Sequence, residues 1–440
     1  MILYAGVVTL TYLASIADAV AGPFHGHNSL ARPEIKPWPH APGGHYPVSP
    51  PRHHGRYCFV EPSHHGGDDA GKILNAFRQC NYGGTVVLDK NYTIASPLDL
   101  TFLNHVDVAI LGTINFSGDI NYWKEHSFKY AYQNASAMWK FGGRDVNIFG
   151  KGVGRINGNG QPWYDGLAVD PLLQRPVLFL VDGLHGGSVT GLRMDNPPSW
   201  FNLIANSSNI VVSDLNLQAV STSVNLAKNS DGWDTYRSDS VVIQNSVINN
   251  DDDCVSFKPN STNMVVQGLN CNGSHGISVG SLGQYPDEFD IVENIYVYNV
   301  SLSNASDGAR IKVWPGAFTN FQSSLSGGGG SGYVKNVTYD GVFNTNNDWA
   351  IELTQCYGQK NLTLCNEYPS NMIISDILFK NVYGTTSKKY DPKVGTLVCS
   401  DTSKCHNIQA HNISVSPPSG KTATWVCTNL DNSLLDINCI

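Results

Sequence analysis

Two aspartates and a histidine recur at one fixed spacing near the middle of the chain. Asp231 in NSDGWDT and Asp253 in NNDDDC are 22 residues apart, and His275 in GSHGIS follows after another 22. A repeat of this length is typical of one coil of a parallel β-solenoid, in which stacked strands lie about 4.8 Å apart. The spacing therefore predicts a ladder of two carboxylates and an imidazole. Counting back 22 residues from Asp231 reaches Asn209, which opens the apolar run NIVV (209–212).

Asp252 would add a third carboxylate to the middle rung of this ladder. Carboxylates held so close together cannot all ionise freely, so at least one pKa should be raised. A carboxyl that keeps its proton can act as a general acid while ionised neighbours activate water, which is the chemistry of a glycosidase. The run Asp251, Asp252 and Asp253 also offers the oxygen ligands that Ca²⁺ prefers, and this alternative stays open on the residues alone.

Four segments, in order, resemble the signature segments of the polygalacturonase family of glycoside hydrolases. They are NSDG (229–232), DDDC (251–254), GSHGIS (273–278) and ARIKVW (309–314). The resemblance extends from about residue 58 to the C-terminus, and the sequence around the four segments is most similar to fungal exo-acting members. Small departures, such as Ser230 in place of threonine, do not affect the presumed catalytic groups. The resemblance implies an all-β, right-handed parallel β-helix that hydrolyses α-1,4 galacturonosidic bonds of polygalacturonate with inversion, releasing galacturonic acid from the non-reducing end.

The resemblance also implies a role for each catalytic residue. Asp252 matches the proton donor, whereas Asp231 and Asp253 match the pair that holds and deprotonates the attacking water. His275 could tune the pKa of the acid or share its proton. No cofactor or metal is implied, because the calcium-dependent pectate lyases have a similar solenoid but lack the histidine and RIK segments.

Basic residues near the fourth segment are candidates for substrate binding. Arg310 and Lys312 are two residues apart, so a strand places both side chains on one face. A guanidinium and an ammonium there would suit the carboxylate of a uronate, although a structural basic strand edge is the alternative. Tyr357 resembles a family tyrosine at the substrate subsite and could equally serve packing. Arg237 and Lys258 are further possible carboxylate contacts.

The composition limits the possible partners. The formal net charge is −8, with 41% hydrophobic and 15% charged residues and 43 glycines. This balance argues against nucleic acid as a partner and favours a β-rich chain with many turns. A negatively charged protein must meet an anionic polymer through local basic residues.

The first 57 residues differ from the rest of the chain. Residues 1–21 are apolar with small residues at AxA-like sites, which predicts a secretory signal peptide rather than a membrane anchor. Residues 22–57 are rich in proline and histidine and are predicted to be a flexible leader. We expect residues 58–440 to form one β-helix domain, with a short helix over AGKILNAFRQC (70–80) capping its open N-terminal end.

Apolar segments that are predicted to begin strands, such as NIVVSDL and SVVIQNS, recur along the domain. Three longer insertions separate some of these segments. The insertions cover residues 118–138, 157–176 and 315–333, and the last is predicted to be a flexible loop over the cleft. Because a solenoid keeps sequence neighbours close, the ten cysteines are expected to pair with their nearest neighbours. These pairs are Cys58 with Cys80, Cys254 with Cys271, Cys356 with Cys365, Cys399 with Cys405, and Cys427 with Cys439.

Asn-x-Ser/Thr sequons are frequent, which fits a secreted, N-glycosylated protein, and we expect a monomer without membrane partners. They begin at Asn91, Asn115, Asn134, Asn206, Asn260, Asn272, Asn299, Asn304, Asn336, Asn361 and Asn412. The alternative functions are an endo-polygalacturonase, a rhamnogalacturonan or xylogalacturonan hydrolase, and, from a different class, a non-catalytic polysaccharide-binding solenoid.

Overall fold

A computed structural model describes residues 30–44, 46, 49–322 and 325–440. The predicted signal peptide lies outside the described residues. Residues Arg32–Ile440 form one compact unit.

The strands of the first half of the chain are, in order, β1 (Tyr57–Phe59), β2 (Thr85–Leu88), β3 (Asn91–Ile94), β4 (Leu98–Leu100), β5 (Asn104–Ile110), β6 (Thr113–Phe116), β7 (Phe128–Lys129), β8 (Ser136–Ala137), β9 (Trp139–Asn157), β10 (Phe179–Asp195), β11 (Asn202–Ala205), β12 (Ser208–Ser213) and β13 (Asn216–Gln218). Those of the second half are β14 (Trp233–Tyr236), β15 (Ser238–Gln244), β16 (Val247–Asn249), β17 (Val255–Phe257), β18 (Ser261–Gln267), β19 (Asn270–Asn272), β20 (Ile277–Leu282), β21 (Phe289–Ser303), β22 (Asp307–Val313), β23 (Thr319–Gln322), β24 (Leu325–Gly327), β25 (Ser331–Asn347), β26 (Trp349–Thr354), β27 (Asn371–Thr386), β28 (Lys393–Val398), β29 (Cys405–Ser416) and β30 (Thr424–Thr428). The helices are α1 (Ala70–Cys80), α2 (Ile120–His126), α3 (Gln161–Val169) and α4 (Leu362–Glu367).

Parallel pairing between successive coils builds three stacks of strands, which is the predicted parallel β-helix. The stack that carries the site, called the site stack, consists of β4, the first parts of β9 and β10, β11, β14, β17, β20, β22, β26, β28 and β30. A second stack contains the recurring apolar segments, for example β12, β15 and β18. The third contains short strands such as β13, β16 and β19.

The core is a column of aliphatic side chains that repeats from coil to coil. Along the second stack, Val212 pairs with Ile243, and Ile243 pairs with Val266. All three are at most 1% exposed. β-branched residues suit these positions because their restricted side chains pack well on a pleated surface.

The helix α1 spans the predicted residues and packs against the first strands. Its buried residues include Ile73, Ala76 and Phe77, the face predicted from the sequence. Asp69 precedes the helix, but its carboxylate accepts hydrogen bonds from the backbone N–H groups of Ser63 (2.5 Å) and Thr93 (2.8 Å) rather than from the helix. The aspartate therefore fastens the cap to the first coils.

The described residues between 30 and 56 contact the β-helix, which differs from the predicted flexible leader. The side chain of Gln244 accepts from the N–H of Trp38 (3.2 Å), and that of Gln267 accepts from the N–H of His40 (3.1 Å). Arg52 forms ion pairs of 2.8 Å with Asp107 and Asp145. The polar composition of this segment predicted exposure. Glutamines and aspartates on the coil surface, however, supply hydrogen-bond partners for the backbone and the arginines of the segment.

The three predicted insertions contain local structure. The first holds α2 and the antiparallel hairpin of β7 and β8, the second holds α3, and the third holds the antiparallel pair of β23 and β24. All five predicted disulfides are present, and none of the described cysteines is free. Among the described residues, no helix is long and apolar enough to span a membrane.

Candidate active site

The predicted ladder stands at the edge of the site stack where its strands begin. Trp233 pairs with Val255, and Val255 pairs with Ile277, so Asp231, Asp253 and His275 occupy equivalent positions just before β14, β17 and β20. The 22-residue spacing therefore corresponds to one coil at each step, as predicted.

The 22-residue spacing does not extend to the coil before Asp231. Trp233 pairs with Asn202 on the preceding coil, so that coil is longer than 22 residues. Asn209 lies in β12 of the second stack, away from the ladder. The loop between β13 and β14 supplies the extra residues, and an insertion of this kind shifts any count that assumes a constant coil length.

Asp253 is fully buried and is held by cations and a hydroxyl. Lys312 donates to its Oδ2 at 2.5 Å, Ser278 donates to its Oδ1 at 2.7 Å, and Arg310 lies 3.8 Å from Oδ1. Burial would raise the pKa of Asp253, but the charge of Lys312, with those of Lys258 and Arg310, outweighs it and holds that pKa below its usual range. Asp253 is therefore ionised, as a residue that deprotonates water must be.

Asp252 forms a pair with His275. The imidazole Nδ1 lies 3.1 Å from Oδ1 of Asp252, and the same oxygen accepts the N–H of Asp253 at 2.8 Å. Burial opposes ionisation of Asp252, yet the charge and hydrogen bond of His275 keep the pKa of this aspartate low. Burial alone would lower the pKa of His275, but Asp252 raises it above its ordinary value. The two opposite shifts of pKa mean that a proton shared by this pair favours the imidazole over the carboxylate.

The pKa of Asp231 is shifted in the opposite direction from those of Asp252 and Asp253. Asp231 is buried, its Oδ1 has no hydrogen-bond partner among the described residues, and Lys258 is 3.6 Å from its Oδ2. Burial first, and then the neighbouring carboxylates of Asp234 and Asp252, raise the pKa of Asp231 well above its ordinary value. The expectation that at least one carboxyl of the cluster has a raised pKa is met here, although at Asp231 rather than at the predicted donor Asp252.

Asp234 was not among the residues predicted from the sequence. It is fully buried three residues after Asp231, neither of its carboxylate oxygens has a hydrogen-bond partner in the described structure, and Lys258 is 3.7 Å away. Burial raises the pKa of Asp234 to about 7, against the opposing charge of Lys258. Lys258, predicted as a possible substrate contact, instead lies between two protein carboxylates, and its ammonium is 5.4 Å from the centre of the Trp200 ring.

The predicted basic pair projects from β22 towards the acids, and both cations already have protein partners. Lys312 contacts Asp253, whereas Arg310 donates to Glu352 at 2.8 Å and lies 3.5 Å from Asp307. Sequence spacing placed the two on one face correctly. The acidic partners of Arg310 had no sequence signal, because Glu352 and Asp307 lie outside the four segments.

Tyr357 stands beside both cations. Its ring centre lies 5.9 Å from the guanidinium carbon of Arg310 and 5.8 Å from the Lys312 ammonium, and its ring packs edge-on against Trp314. Arg237 is exposed and lies over the ring of Tyr236, at the opposite end of β14 from the ladder. Tyr357 is thus at the site, whereas Arg237 is not grouped with the acids.

Gly276 follows the ladder histidine in a left-handed backbone conformation, with φ of 106°. A Cβ at this position would lie 2.8 Å from the carbonyl oxygen of Gly308 and 2.9 Å from that of Asp307. Only glycine adopts this conformation so close to the next coil without strain. Gly276 therefore allows the chain directly after His275 to approach the next coil closely.

Asp252, Asp253 and His275 also have ligand atoms within 4.8 Å of one another, so the calcium alternative can be examined. The Lys312 ammonium and the Arg310 guanidinium already neutralise Asp253, and His275 faces Asp252. Asp251 does not belong to this group of close ligand atoms. Ca²⁺ prefers six to eight oxygen ligands, so a histidine and two aspartates beside fixed protein cations fit it poorly.

The hairpin of β7 and β8 crosses the strands of the site stack. Ala137 at its base bridges to Val177, just before β10, while Tyr130 in its tip accepts a 2.8 Å hydrogen bond from Asn206, just after β11. At the tip, Tyr132 stacks on Tyr236 at 4.2 Å.

Beyond that stack, Gln133 donates to Gln284 at 2.9 Å. Tyr236 ends β14, and Gln284 follows β20, so the tip reaches the coils that carry Asp231 and His275. The hairpin therefore covers β10 and β11, where Tyr132 shares a buried cluster with Leu180 and Leu203, and reaches the strand ends that lie opposite the ladder.

Comparison with known proteins agrees with this geometry. Residues 89–436 match the model of the glycosyl hydrolases family 28. A probable exopolygalacturonase X of Aspergillus fumigatus is 55% identical over 99% of both chains, and an exopolygalacturonase of Cochliobolus carbonum is 53% identical over 97% of this chain and 95% of its own. The crystal structure of an endo-xylogalacturonan hydrolase from Aspergillus tubingensis superposes with a TM-score of 0.78, 35% identity, and coverage of 87% of this chain and 98% of its own. The chain therefore belongs to the glycosyl hydrolases family 28.

Proposed function

We propose that the protein is an exopolygalacturonase, an inverting glycoside hydrolase that releases galacturonic acid from the non-reducing end of polygalacturonate. The observation that carries this proposal is the ladder of Asp231, Asp253 and His275 with Asp252 beside it, flanked by cations. These acids can supply both proton donation and activation of water. The names of the full-length relatives support the substrate and the exo mode.

The proposed mechanism begins with the pair of Asp252 and His275. This pair stores the proton that Asp252 delivers to the glycosidic oxygen, with His275 as its source. Because Asp252 raises the pKa of His275, the pair keeps its proton at pH values where a free imidazole has lost it. Activity should therefore be lost as the pH rises through the pKa of the pair.

Water activation falls to Asp231 and Asp253, each of which faces a lysine. Asp253 is already ionised because of Lys312, whereas Asp231 must lose its proton before it can help the water to attack. Ionisation of Asp231 should accordingly govern the acid side of the pH–rate profile. Arg310, Lys312 and Tyr357 are proposed to contact the uronate at the site of cleavage.

The exo mode is supported by the hairpin of β7 and β8. A polysaccharide that lies along the solenoid axis must pass over successive strands of the site stack. The hairpin covers β10 and β11 on this path, because Tyr132 lies in one buried cluster with Leu180 and Leu203. A chain end can enter such a site, whereas the middle of a polymer cannot continue through it.

Replacing the hairpin tip, residues 130–135, with a two-residue Asn-Gly turn tests this role. β7 and β8 are antiparallel, and Asn-Gly is the preferred short connection for such a pair. We expect digestion of long polygalacturonate to change from galacturonic acid alone to a mixture with oligomers at early times. Chromatography of the products checks this.

Tyr130→Phe provides the matched control, since it removes one hydrogen bond from the same tip and leaves the hairpin in place. This variant should still release monomer. Release of monomer alone by the shortened hairpin would contradict this role of the hairpin. An endo-acting xylogalacturonan hydrolase, the second candidate supported by the Aspergillus tubingensis structure, would give oligomers from the unmodified protein.

We further propose that the protein is a secreted, N-glycosylated monomer. The five disulfides require an oxidising compartment, and pectin is an extracellular polymer. Several sequons, such as those at Asn91 and Asn361, expose their asparagines at the surface. Glycosidase treatment of the secreted protein followed by mass spectrometry would test the glycans, and light scattering would test the monomer.

A further inference from the structure

Arg175 is an arginine near the site that no sequence motif indicated. It lies in the loop between α3 and β10. Its Nη1 donates to the carbonyl oxygens of Pro198 (2.9 Å) and Lys228 (2.7 Å), and its Nη2 donates to Oδ1 of Asn229 (2.7 Å). One guanidinium thus joins three segments that precede strands of the site stack.

The contact with Asn229 determines which way the amide of that residue faces. Arginine offers only donors, so it must take the carbonyl oxygen of the asparagine side chain. The amide nitrogen is thereby directed to the other side, where it donates to Oδ2 of Asp252 at 3.2 Å. Without Arg175, the exposed side chain of Asn229 loses this anchor and is free to rotate away from the carboxylate.

The two oxygens of Asp252 therefore have different partners. Oδ1 accepts from the Asp253 N–H and faces His275, whereas Oδ2 receives the amide of Asn229. A carboxyl held at both oxygens has a fixed plane, and proton transfer to a glycosidic oxygen depends on that orientation. We propose that Arg175 is a positioning residue for the reaction, acting on Asp252 through the amide of Asn229.

This inference rests on the proposed role of Asp252 as proton donor, and the experiment separates the two. Natural polygalacturonate needs protonation of its leaving oxygen, whereas 4-nitrophenyl α-galacturonide has a leaving group that departs without it. A defect in positioning the acid should therefore appear with the polymer and not with the aryl glycoside. A general loss of structure would affect both substrates.

We expect Arg175→Met and Asn229→Ala each to lower kcat on polygalacturonate by about 10- to 100-fold, with KM changed by less than about threefold. Hydrolysis of 4-nitrophenyl α-galacturonide should fall by less than about threefold. Because the two residues act in series, the double variant should lose no more than the larger single loss. Arg175→Lys should recover part of the activity, since an ammonium can still donate to Asn229.

Arg56→Met is the matched control, since Arg56 likewise donates to two backbone carbonyls, those of Tyr82 and Gln79, in and just after the capping helix α1. It should leave both activities unchanged. Equal losses on both substrates for Arg175→Met, or additive losses in the double variant, would overturn the inference while leaving the donor assignment intact. If Asp252→Asn itself loses both activities equally, the donor assignment and the inference both fall.

Discussion

Asp252→Asn is expected to lower kcat on polygalacturonate by at least ~10³-fold, at the upper part of the usual range for acid–base groups. Asparagine keeps the size of the side chain, so the fold should change little, but it has no proton to deliver. Its NH2 group also replaces one of the two oxygens that accept from Asn229 and from the Asp253 N–H. Hydrolysis of 4-nitrophenyl α-galacturonide should remain within about tenfold of the unmodified protein. Steady-state kinetics on the two substrates measures this directly.

The same comparison decides between the two possible donors of the cluster. The pKa of Asp231 is raised, mainly by burial, whereas that of Asp252 is kept low by His275. If the proton comes from the pair of Asp252 and His275, Asp231→Asn should lose both activities because water activation fails. The two roles would be exchanged if Asp231→Asn lost activity only on polygalacturonate while Asp252→Asn lost activity equally on both substrates.

Lys312→Met is expected to have the second large effect, on both activity and stability. Asp253 is fully buried, and Lys312 is its closest cation at 2.5 Å. Removing one partner of a buried pair leaves an uncompensated charge and costs roughly 3–5 kcal/mol of the free energy of unfolding. Asp253 should then become protonated, so kcat should fall at least about 100-fold because the base is lost.

The pH dependence of this loss gives a further check. The lowered pKa of Asp253 means that its contribution to stability is present above the unfolded-state pKa of about 3.9 and is lost as the pH falls through its folded-state pKa. Urea unfolding of Lys312→Met and of the unmodified protein should therefore show that the difference between their free energies of unfolding becomes smaller at low pH.

Lys380→Met is the control for this prediction. Lys380 pairs with Asp340 at 3.0 Å, but its side chain is 37% exposed, so its loss should cost less than about 1 kcal/mol. Equal losses of stability for Lys312→Met and Lys380→Met would contradict the buried ion pair.

The ladder could be predicted from the sequence because its spacing equals one coil at both steps. Strand register then places Asp231, Asp253 and His275 together without any further information. The same count fails at Asn209, because the loop before Asp231 lengthens that coil. A constant period therefore predicts register only between coils that lack insertions.

The partners of the site residues could not be predicted in the same way. Lys312 and Arg310 were identified as basic residues on one face, but their pairing with Asp253 and Glu352 depends on how side chains of different coils meet. The position of the proton depends on burial as well as on residue type, which is why Asp231 rather than Asp252 has the raised pKa. The crossing of the hairpin tip over the strands likewise has no local sequence signal.

The most direct test of metal-free exo hydrolysis by the aspartate ladder is the time course of products from long polygalacturonate. We expect galacturonic acid alone from the earliest times, a slow fall in the viscosity of the polymer, and no effect of excess EDTA. A ladder of oligomers with a rapid fall in viscosity would contradict the exo mode. An unsaturated, ultraviolet-absorbing product that disappears with EDTA would contradict hydrolysis by the aspartate cluster altogether.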